Sequence, residues 1–296
     1  MADNSRACFC FTENVFRLGL ETELNALFTS VMNIRLFLVS FSCLLFPMFA
    51  AHATPELLTS SDAKILVCGG AMMNGNHFAD SVIPAMTDHY GKSKHVALVL
   101  HANLPDDRDK MERRLQEAFA HIGVPQATSL HQLDPSTALQ LLRDVDAIFI
   151  GGGDTFALLR ELTETGQLEV IQKQALKGIP TGGTSAGANV QGPVIGTTND
   201  FPVTDIATRN ALSLFPALIN PHHPQPEDEQ RFASREWKLH NYRRWNPDEV
   251  ILALGDRSIA ILKDGKVTLP LGPAWLYNAK EARYLVSGDA IPELDP

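Results

Sequence analysis

The sequence predicts an α/β fold, a mostly parallel sheet with helices on both faces and an antiparallel C-terminal extension. Two observations predict it. Between residues 64 and 182, short apolar runs alternate with segments of helical periodicity, the pattern of strands joined by crossover helices. Beyond residue 250 the apolar runs follow one another through tight turns such as Asp264-Gly265, the pattern of antiparallel pairing.

The elements follow in order. Residues 64–68 form a buried strand that ends at Gly69-Gly70. Phe78, Val82, Ile83 and Met86 give residues 76–89 helical spacing, and residues 96–100 read as a second strand. In residues 106–122 Met111, Leu115, Phe119 and Ile122 share one face opposite a charged one, so this segment is an amphipathic helix. A weak strand over 127–130 and a helix over 135–143 come next. Residues 147–150 are the third clear strand and run directly into Gly151-Gly152-Gly153. Helices over 155–165 and 168–177, a short strand over 179–182 and a helix from Ala186 complete the alternating part. Residues 250–254, 258–262, 266–269 and 275–278 are the short strands of the extension. The whole of 54–296 reads as one domain, with no internal repeat and no low-complexity linker.

Residues 1–53 have a different character. From Met32 a short start with Arg35 leads into an apolar stretch over 36–50 and then Ala51-His52-Ala53. These are the three parts of a secretory signal peptide cleaved after Ala53, and the stretch of about 15 residues is short for a membrane span. Glu13, Glu21 and Glu23 suit no export signal, so residues 1–31 read as an upstream extension and Met32 as the natural start. A secreted or periplasmic protein without a stable membrane span in its mature form is the expectation. Removing this region leaves Cys68 as a single buried thiol, without a disulfide partner or a zinc-type cysteine cluster.

Composition narrows the function classes. With 45% hydrophobic and 20% charged residues the chain is globular, and its net charge of -9 argues against nucleic acid, which needs clustered Lys and Arg. The strongest chemical signal is Gly183-Thr184-Ser185-Ala186-Gly187, the form of a nucleophile elbow. Small residues on both sides let the chain turn from strand to helix with the serine hydroxyl exposed. The Ala186 amide, at the start of the helix, is free to donate to an oxyanion.

The loop Gly151-Gly152-Gly153 follows a central strand and can supply a second such amide. A phosphate loop is disfavoured there, since no lysine motif follows and Asp154 would repel the anion; a plain turn capped by Asp154 is the other reading. A base for the serine is offered by His222, which follows the strand stop at Pro221 and would sit at a carboxyl strand end. The acid that orients it is either Asp200 or Asp256. A metal set of His222 and His223 with Glu227, Asp228 and Glu229 is disfavoured, because adjacent residues on an extended chain point apart. No metal or organic cofactor is required by this chemistry.

Four blocks resemble peptidase E, the α-aspartyl dipeptidases related to cyanophycinases. They are residues 147–156, residues 185–189, residues 197–202 and the stretch from Phe215-Pro216 to His222, in the order the family has them. The resemblance covers roughly residues 64–280 and implies the class I glutamine amidotransferase-like sheet. It also implies a serine-type dipeptidase acting on small peptides with an N-terminal aspartyl residue, with Ser185 as nucleophile, His222 as base and Asp200 as acid. The family also has an acidic residue at the position of Asp256. The resemblance further implies oxyanion amides on Gly153 and Ala186, and an arginine at Arg235 that pairs with the substrate's aspartyl carboxylate. Family members are monomers or homodimers.

Three residues depart from the dipeptidase pattern. Asp154 stands where Asn is usual, Thr184 where Trp is usual, and Gly196 where Arg can occur. The run Gly183-Thr184-Ser185-Ala186-Gly187 more closely resembles cyanophycinases, which hydrolyse an aspartyl-arginine polymer, and Gly196 removes one cation near the site; a binding protein without catalysis is the remaining class. Asp154 is suited to pairing with a free substrate amine. N-terminal sequencing of exported protein is expected to begin at Thr54, and recovery of an intact residue 1 in the mature form would refute the signal reading.

Overall fold

Branched and apolar runs at even spacing form the sheet core, because each is short enough for a strand and apolar enough to be covered on both faces. The computed structural model describes residues 55–279 and 281–296, so the signal and its upstream extension lie outside them. In chain order the first strands are β1 (Lys64–Cys68), β2 (Met73–Asn74), β3 (His77–Phe78), β4 (His95–Val99), β5 (Gln126–Ser129), β6 (Ala147–Ile150) and β7 (Thr181–Thr184). The later ones are β8 (Leu218–Asn220), β9 (Ile251–Leu254), β10 (Ile259–Lys263), β11 (Lys266–Leu271), β12 (Ala274–Tyr277), β13 (Ala282–Leu285) and β14 (Asp289–Ala290). The helices are α1 (Ile83–Tyr90), α2 (Pro105–His121), α3 (Pro135–Asp144), α4 (Thr155–Glu164), α5 (Gln167–Leu176), α6 (Ala186–Asn189) and α7 (Glu229–Trp245).

The main sheet has the order β14-β11-β10-β1-β7-β6-β4-β5. Its half from β1 to β5 is parallel, and β10, β11 and β14 add antiparallel strands on one side. Alternation along each strand sends residues to opposite faces. Ile65, Val67, Ile148 and Ile150 join Leu142, Leu159 and Ile171 of α3, α4 and α5 on one side. Leu66, Leu98 and Phe149 join Met86 and Phe119 of α1 and α2 on the other. On that second face Tyr90, Phe119 and Phe149 meet edge to face, each burying a large ring worth about 2 kcal/mol or more in transfer from water.

The expected mostly parallel sheet with helices on both faces is present, and two local expectations need correction. Residues 76–89 are not one helix. Gly75-Asn76 turns the chain, with Gly75 at φ 61, so β2 and β3 pair as a hairpin and the helix starts only at Ile83, beside Pro84. The C-terminal strands are also not a single extension of one sheet. They alternate between the main sheet and a second one, of order β13-β12-β9-β8, with Gly255, Gly272 and Gly288 in the three connections where the chain crosses. In this second sheet β8 and β9 run parallel, and α7 covers it with Leu239 against Leu218, Ile251 and Trp275. Among the described residues no helix is long and apolar enough to cross a membrane.

Helix starts follow local chemistry. Asp134 accepts from the amides of Ser136 and Thr137 and caps α3; Asp106 and Asp107 occupy the first turn of α2, where the helix dipole favours negative charge. One polar network ties α2 and α4 to the segment after β4. His101, buried, places Nδ1 2.9 Å from Glu161 Oε1 and Nε2 2.7 Å from Gln167 Oε1. Arg108 donates to Glu161 at 2.8 Å and to the carbonyls of His101 and Asn103. Burial pushes the Glu161 carboxyl up, but bonds from His101 and Arg108 outweigh it and bring the pKa from 4.5 down to about 2. A carboxylate with a depressed pKa adds stability above its unfolded value and loses it as pH falls through the folded value. The thermal midpoint is therefore expected to fall between pH 4.5 and about 2, with a smaller fall in Glu161→Gln. Equal slopes for the two proteins would refute this assignment.

Candidate active site

The parallel strands end their carboxyl termini side by side, and the loops that follow β1, β6 and β7 meet there. Ser185 stands at the turn from β7 to the single-turn helix α6, with φ 55 and ψ −117. That backbone is uncommon for a residue with a side chain and costs about 1–3 kcal/mol, so the surroundings must impose it. They do so by contact. Ser185 N–H donates to the Cys68 carbonyl at 3.0 Å, and a Cβ on Gly183 would lie 2.3 Å from the Gly187 carbonyl oxygen. A Cβ on Gly187 would lie 2.1 Å from the Ile150 carbonyl oxygen. Glycine at 183 and 187 is thus what allows β7, α6 and β6 to come together around the serine.

His222 follows β8, and its Nε2 lies 2.8 Å from Ser185 Oγ. Its Nδ1 lies 2.6 Å from Asp256 Oδ1. Asp256 comes two residues after β9, and the parallel β8–β9 ladder sets the two strand ends side by side, with Asn220 opposite Ala253. The bond from His222 holds the Asp256 carboxyl below the ordinary carboxylate range. His222 itself has φ 54; its N–H donates to the Gly69 carbonyl at 2.8 Å, while Asn199 and Arg235 donate to the Pro221 carbonyl. Gly70, at φ 133, gives the ring its room: a Cβ there would lie 2.1 Å from His222 Cε1. Sequence alone marks Gly69-Gly70 as a strand-ending turn. Its role as the floor under a histidine 152 positions later leaves no local signal.

Asp200 is not beside the histidine. Its Oδ2 accepts from the Thr155 amide at 2.9 Å, from the Thr155 hydroxyl at 2.5 Å and from the Thr198 hydroxyl at 3.2 Å. The carboxylate is thereby drawn to the start of α4, where free amides favour an anion, and it fastens the loop over 197–200 there. Of the two acids left open by sequence, Asp256 is the one in contact with His222. Asp154 accepts from the Ala157 amide at 2.8 Å and caps α4, as the plain-turn reading held. Gly152 packs closest to the serine, since a Cβ on it would lie 2.9 Å from Ser185 Cβ. The amides of Gly153 and Ala186 have no backbone acceptor among the described residues.

Arg235, on α7, donates through Nη1 to Asn220 Oδ1 at 2.9 Å, to the Pro221 carbonyl at 3.1 Å and to the His222 carbonyl at 3.4 Å. It also lines a cleft of about 290 Å³ beside the histidine turn, with Asn199, Asp200, Asn220, Lys238 and Tyr242. The Tyr242 hydroxyl fills the space next to Gly196, where a Cβ would lie 2.0 Å from it. His223 turns away from His222 into the aromatic ring set of Phe232, Trp275 and Tyr277 and faces Glu236, so the two histidines share no ligand position. Elsewhere Asp109, Glu112 and His131 bring ligand-type atoms within 4.8 Å of one another, with His131 Nε2 bonded to Asp109 at 2.8 Å.

Residues 65–269 match the sequence pattern of Peptidase family S51. The chain belongs to peptidase family S51. Among its relatives, Peptidase E of Haemophilus influenzae is 34% identical over 181 residues, 61% of this chain and 81% of that one. Peptidase E of Salmonella arizonae is 27% identical over 221 residues, 74% of this chain and 95% of that one. The fold is shared with a solved structure of a peptidase E protein from Listeria monocytogenes, at 19% identity and TM-score 0.55 over 70% of this chain and 97% of that one. A peptidase from an acI-B1 Actinobacterium superposes with TM-score 0.58 at 13% identity, over 77% of this chain and 96% of its own. The S51 assignment makes this protein a peptidase. Gly70→Ala is then expected to displace the His222 ring and to lower peptidase activity roughly 10²-fold, the scale of a misplacement of about 1 Å. Wild-type rates in that variant would show that the ring position does not matter.

Proposed function

We propose that this S51 peptidase is a serine-type dipeptidase that removes an N-terminal aspartyl residue from small peptides, using Ser185, His222 and Asp256. The observation that carries the proposal is the unbroken line from Ser185 Oγ through both ring nitrogens of His222 to Asp256, at 2.8 and 2.6 Å. His222 takes the hydroxyl proton as Ser185 attacks the peptide carbonyl, then gives it to the leaving amine. Asp256, kept ionised by its bond to the ring, orients the imidazole and stabilises its charged form. The amides of Ala186 and Gly153 hold the oxyanion, and water then hydrolyses the acyl-enzyme.

The aspartyl preference rests on Arg235. Its Nη1 is spent on the turn that carries His222, while Nε and Nη2 have no partner among the described residues, and the cleft beside it also holds Lys238. Two free donors of one guanidinium suit a bidentate carboxylate. Asp154 Oδ1 is engaged in the cap of α4, and Oδ2 is the oxygen that would pair with a free substrate amine. The cyanophycinase-like reading is favoured by Thr184 and by Gly196, whose surroundings are filled by Tyr242 and leave no room for the arginine dipeptidases can carry there. Whichever substrate it takes, we propose that residues 32–53 direct its export.

Fluorophosphonate labelling and hydrolysis assays test the proposal together. Wild type should label and Ser185→Ala should not; labelling that survives the substitution, or is absent from wild type, rules out Ser185 as nucleophile and favours a binding protein. Asp256→Asn should lower kcat by roughly 10³–10⁴-fold, and Asp200→Asn by about tenfold at most. The reverse order would return the acid's role to Asp200. Assays of Asp-Leu, its N-acetyl form, Glu-Leu, β-Asp-Arg and cyanophycin side by side should show Asp-Leu cleaved fastest, with an Arg235→Ala variant raising its KM.

A further inference from the structure

The segment that follows β4 approaches the three-glycine loop at two points. The Asp154 amide donates to the Ala102 carbonyl at 2.8 Å, and the Asn103 side-chain amide donates to the Gly152 carbonyl. Between these two bonds lies the amide of Gly153, which has no backbone acceptor among the described residues. A peptide unit is planar and trans, so the Gly152 carbonyl and the Gly153 N–H leave the same plane in opposite directions. Fixing the carbonyl therefore fixes the N–H. Glycine on both sides would otherwise let this peptide rotate readily, because Gly152 and Gly153 carry no Cβ to resist it. Gly153 has φ 139, and a Cβ on it would lie 2.1 Å from the Ala102 carbonyl oxygen, so the same segment also sets its backbone.

From this geometry we infer that Asn103 is a positioning residue, which locks the Gly152–Gly153 peptide with the Gly153 N–H turned toward the oxyanion of the Ser185 reaction. The inference rests on the proposed role of Ser185. Gly152 provides the link to that serine, since a Cβ on it would lie 2.9 Å from Ser185 Cβ and 3.5 Å from Ser185 Oγ. Asn103 is itself braced. Its own N–H donates to the Leu100 carbonyl at 3.0 Å, and its carbonyl accepts from Arg108 Nε at 3.1 Å. Arg108 is in turn held by Glu161 of α4, which also binds His101. The oxyanion amide is thus tied through one side chain to a network that spans two helices. Without the side-chain donor, the Gly152 carbonyl competes for the same space and the peptide can flip, which removes the Gly153 amide and leaves Ala186 alone.

The test compares wild type, Asn103→Ala, the isosteric Asn103→Asp, and Ser185→Ala in the full chain. Asn103→Asp keeps the volume of the side chain but places a carboxylate oxygen against the Gly152 carbonyl. The readouts are the rate of labelling by a fluorophosphonate, whose phosphoryl oxygen occupies the oxyanion site, kcat and KM for Asp-Leu, and the thermal midpoint. Loss of an oxyanion donor costs about 10²–10³ in kcat, and loss of the group that aims it should cost at least about tenfold. Labelling and kcat should fall together by that factor, with KM within about twofold and the Asp variant at least as impaired as the Ala variant. Should Asn103→Ala lose thermal stability, Asn103→Asp decides. Wild-type labelling rates in both variants, or a rise in KM without a fall in kcat, would overturn the inference while leaving Ser185 in place. Failure of wild type to label would overturn the serine reading and the inference with it.

Discussion

Backbone meets backbone around Ser185 more closely than any side chain would allow. Gly183 lies against the Gly187 carbonyl, Gly187 against that of Ile150, and Gly152 against Ser185 itself. Each approach is closed by a glycine because a Cβ would have to occupy a filled position. Together they force the serine into a backbone conformation that would otherwise be unfavourable, and the Cys68 carbonyl holds its amide there. The remaining site is arranged on this turn: β6 brings the glycine loop, β1 brings Gly69-Gly70, and the second sheet brings the histidine.

The second sheet gives the site its charge. It would be easy to regard the C-terminal strands as support for the main sheet, yet they carry His222 and Asp256 on adjacent parallel ends. Gly69-Gly70 joins the sheets, since Gly69 accepts from the His222 amide and Gly70 from the Arg257 amide, on either side of the imidazole–carboxylate pair. A Cβ on Gly69 would also meet the Gly255 carbonyl oxygen at 2.1 Å. The Pro221-His222 turn is gripped from outside by Arg235 and Asn199, which both donate to the Pro221 carbonyl. Arg235 therefore holds the histidine turn with one nitrogen and also lines the cleft beside it. Its substitution is expected to be felt by both.

Polar groups away from the serine are largely accounted for by architecture. Asp200 and Asp154 both serve the start of α4, one by binding Thr155 and the other by capping. The Glu161 network joins α2 and α4 behind the loop that carries Asn103. A charged network of this kind is at risk only when protonated, which for Glu161 means strongly acid conditions.

The sequence by itself determined the alternating order of strands and helices, the turn at Ser185 and the histidine at a strand end. These are written in short-range features: an apolar run, a glycine two residues from a serine on each side, a proline that stops a strand. It also left two acids open, and resemblance favoured Asp200. Only the tertiary structure decided in favour of Asp256 as the partner of His222, because contact between β8 and β9 is a long-range pairing that no local pattern encodes. The hairpin at Gly75 and the split of the C-terminal strands between two sheets were lost for the same reason: helical spacing and strand spacing over a few residues do not say which neighbour a segment will meet.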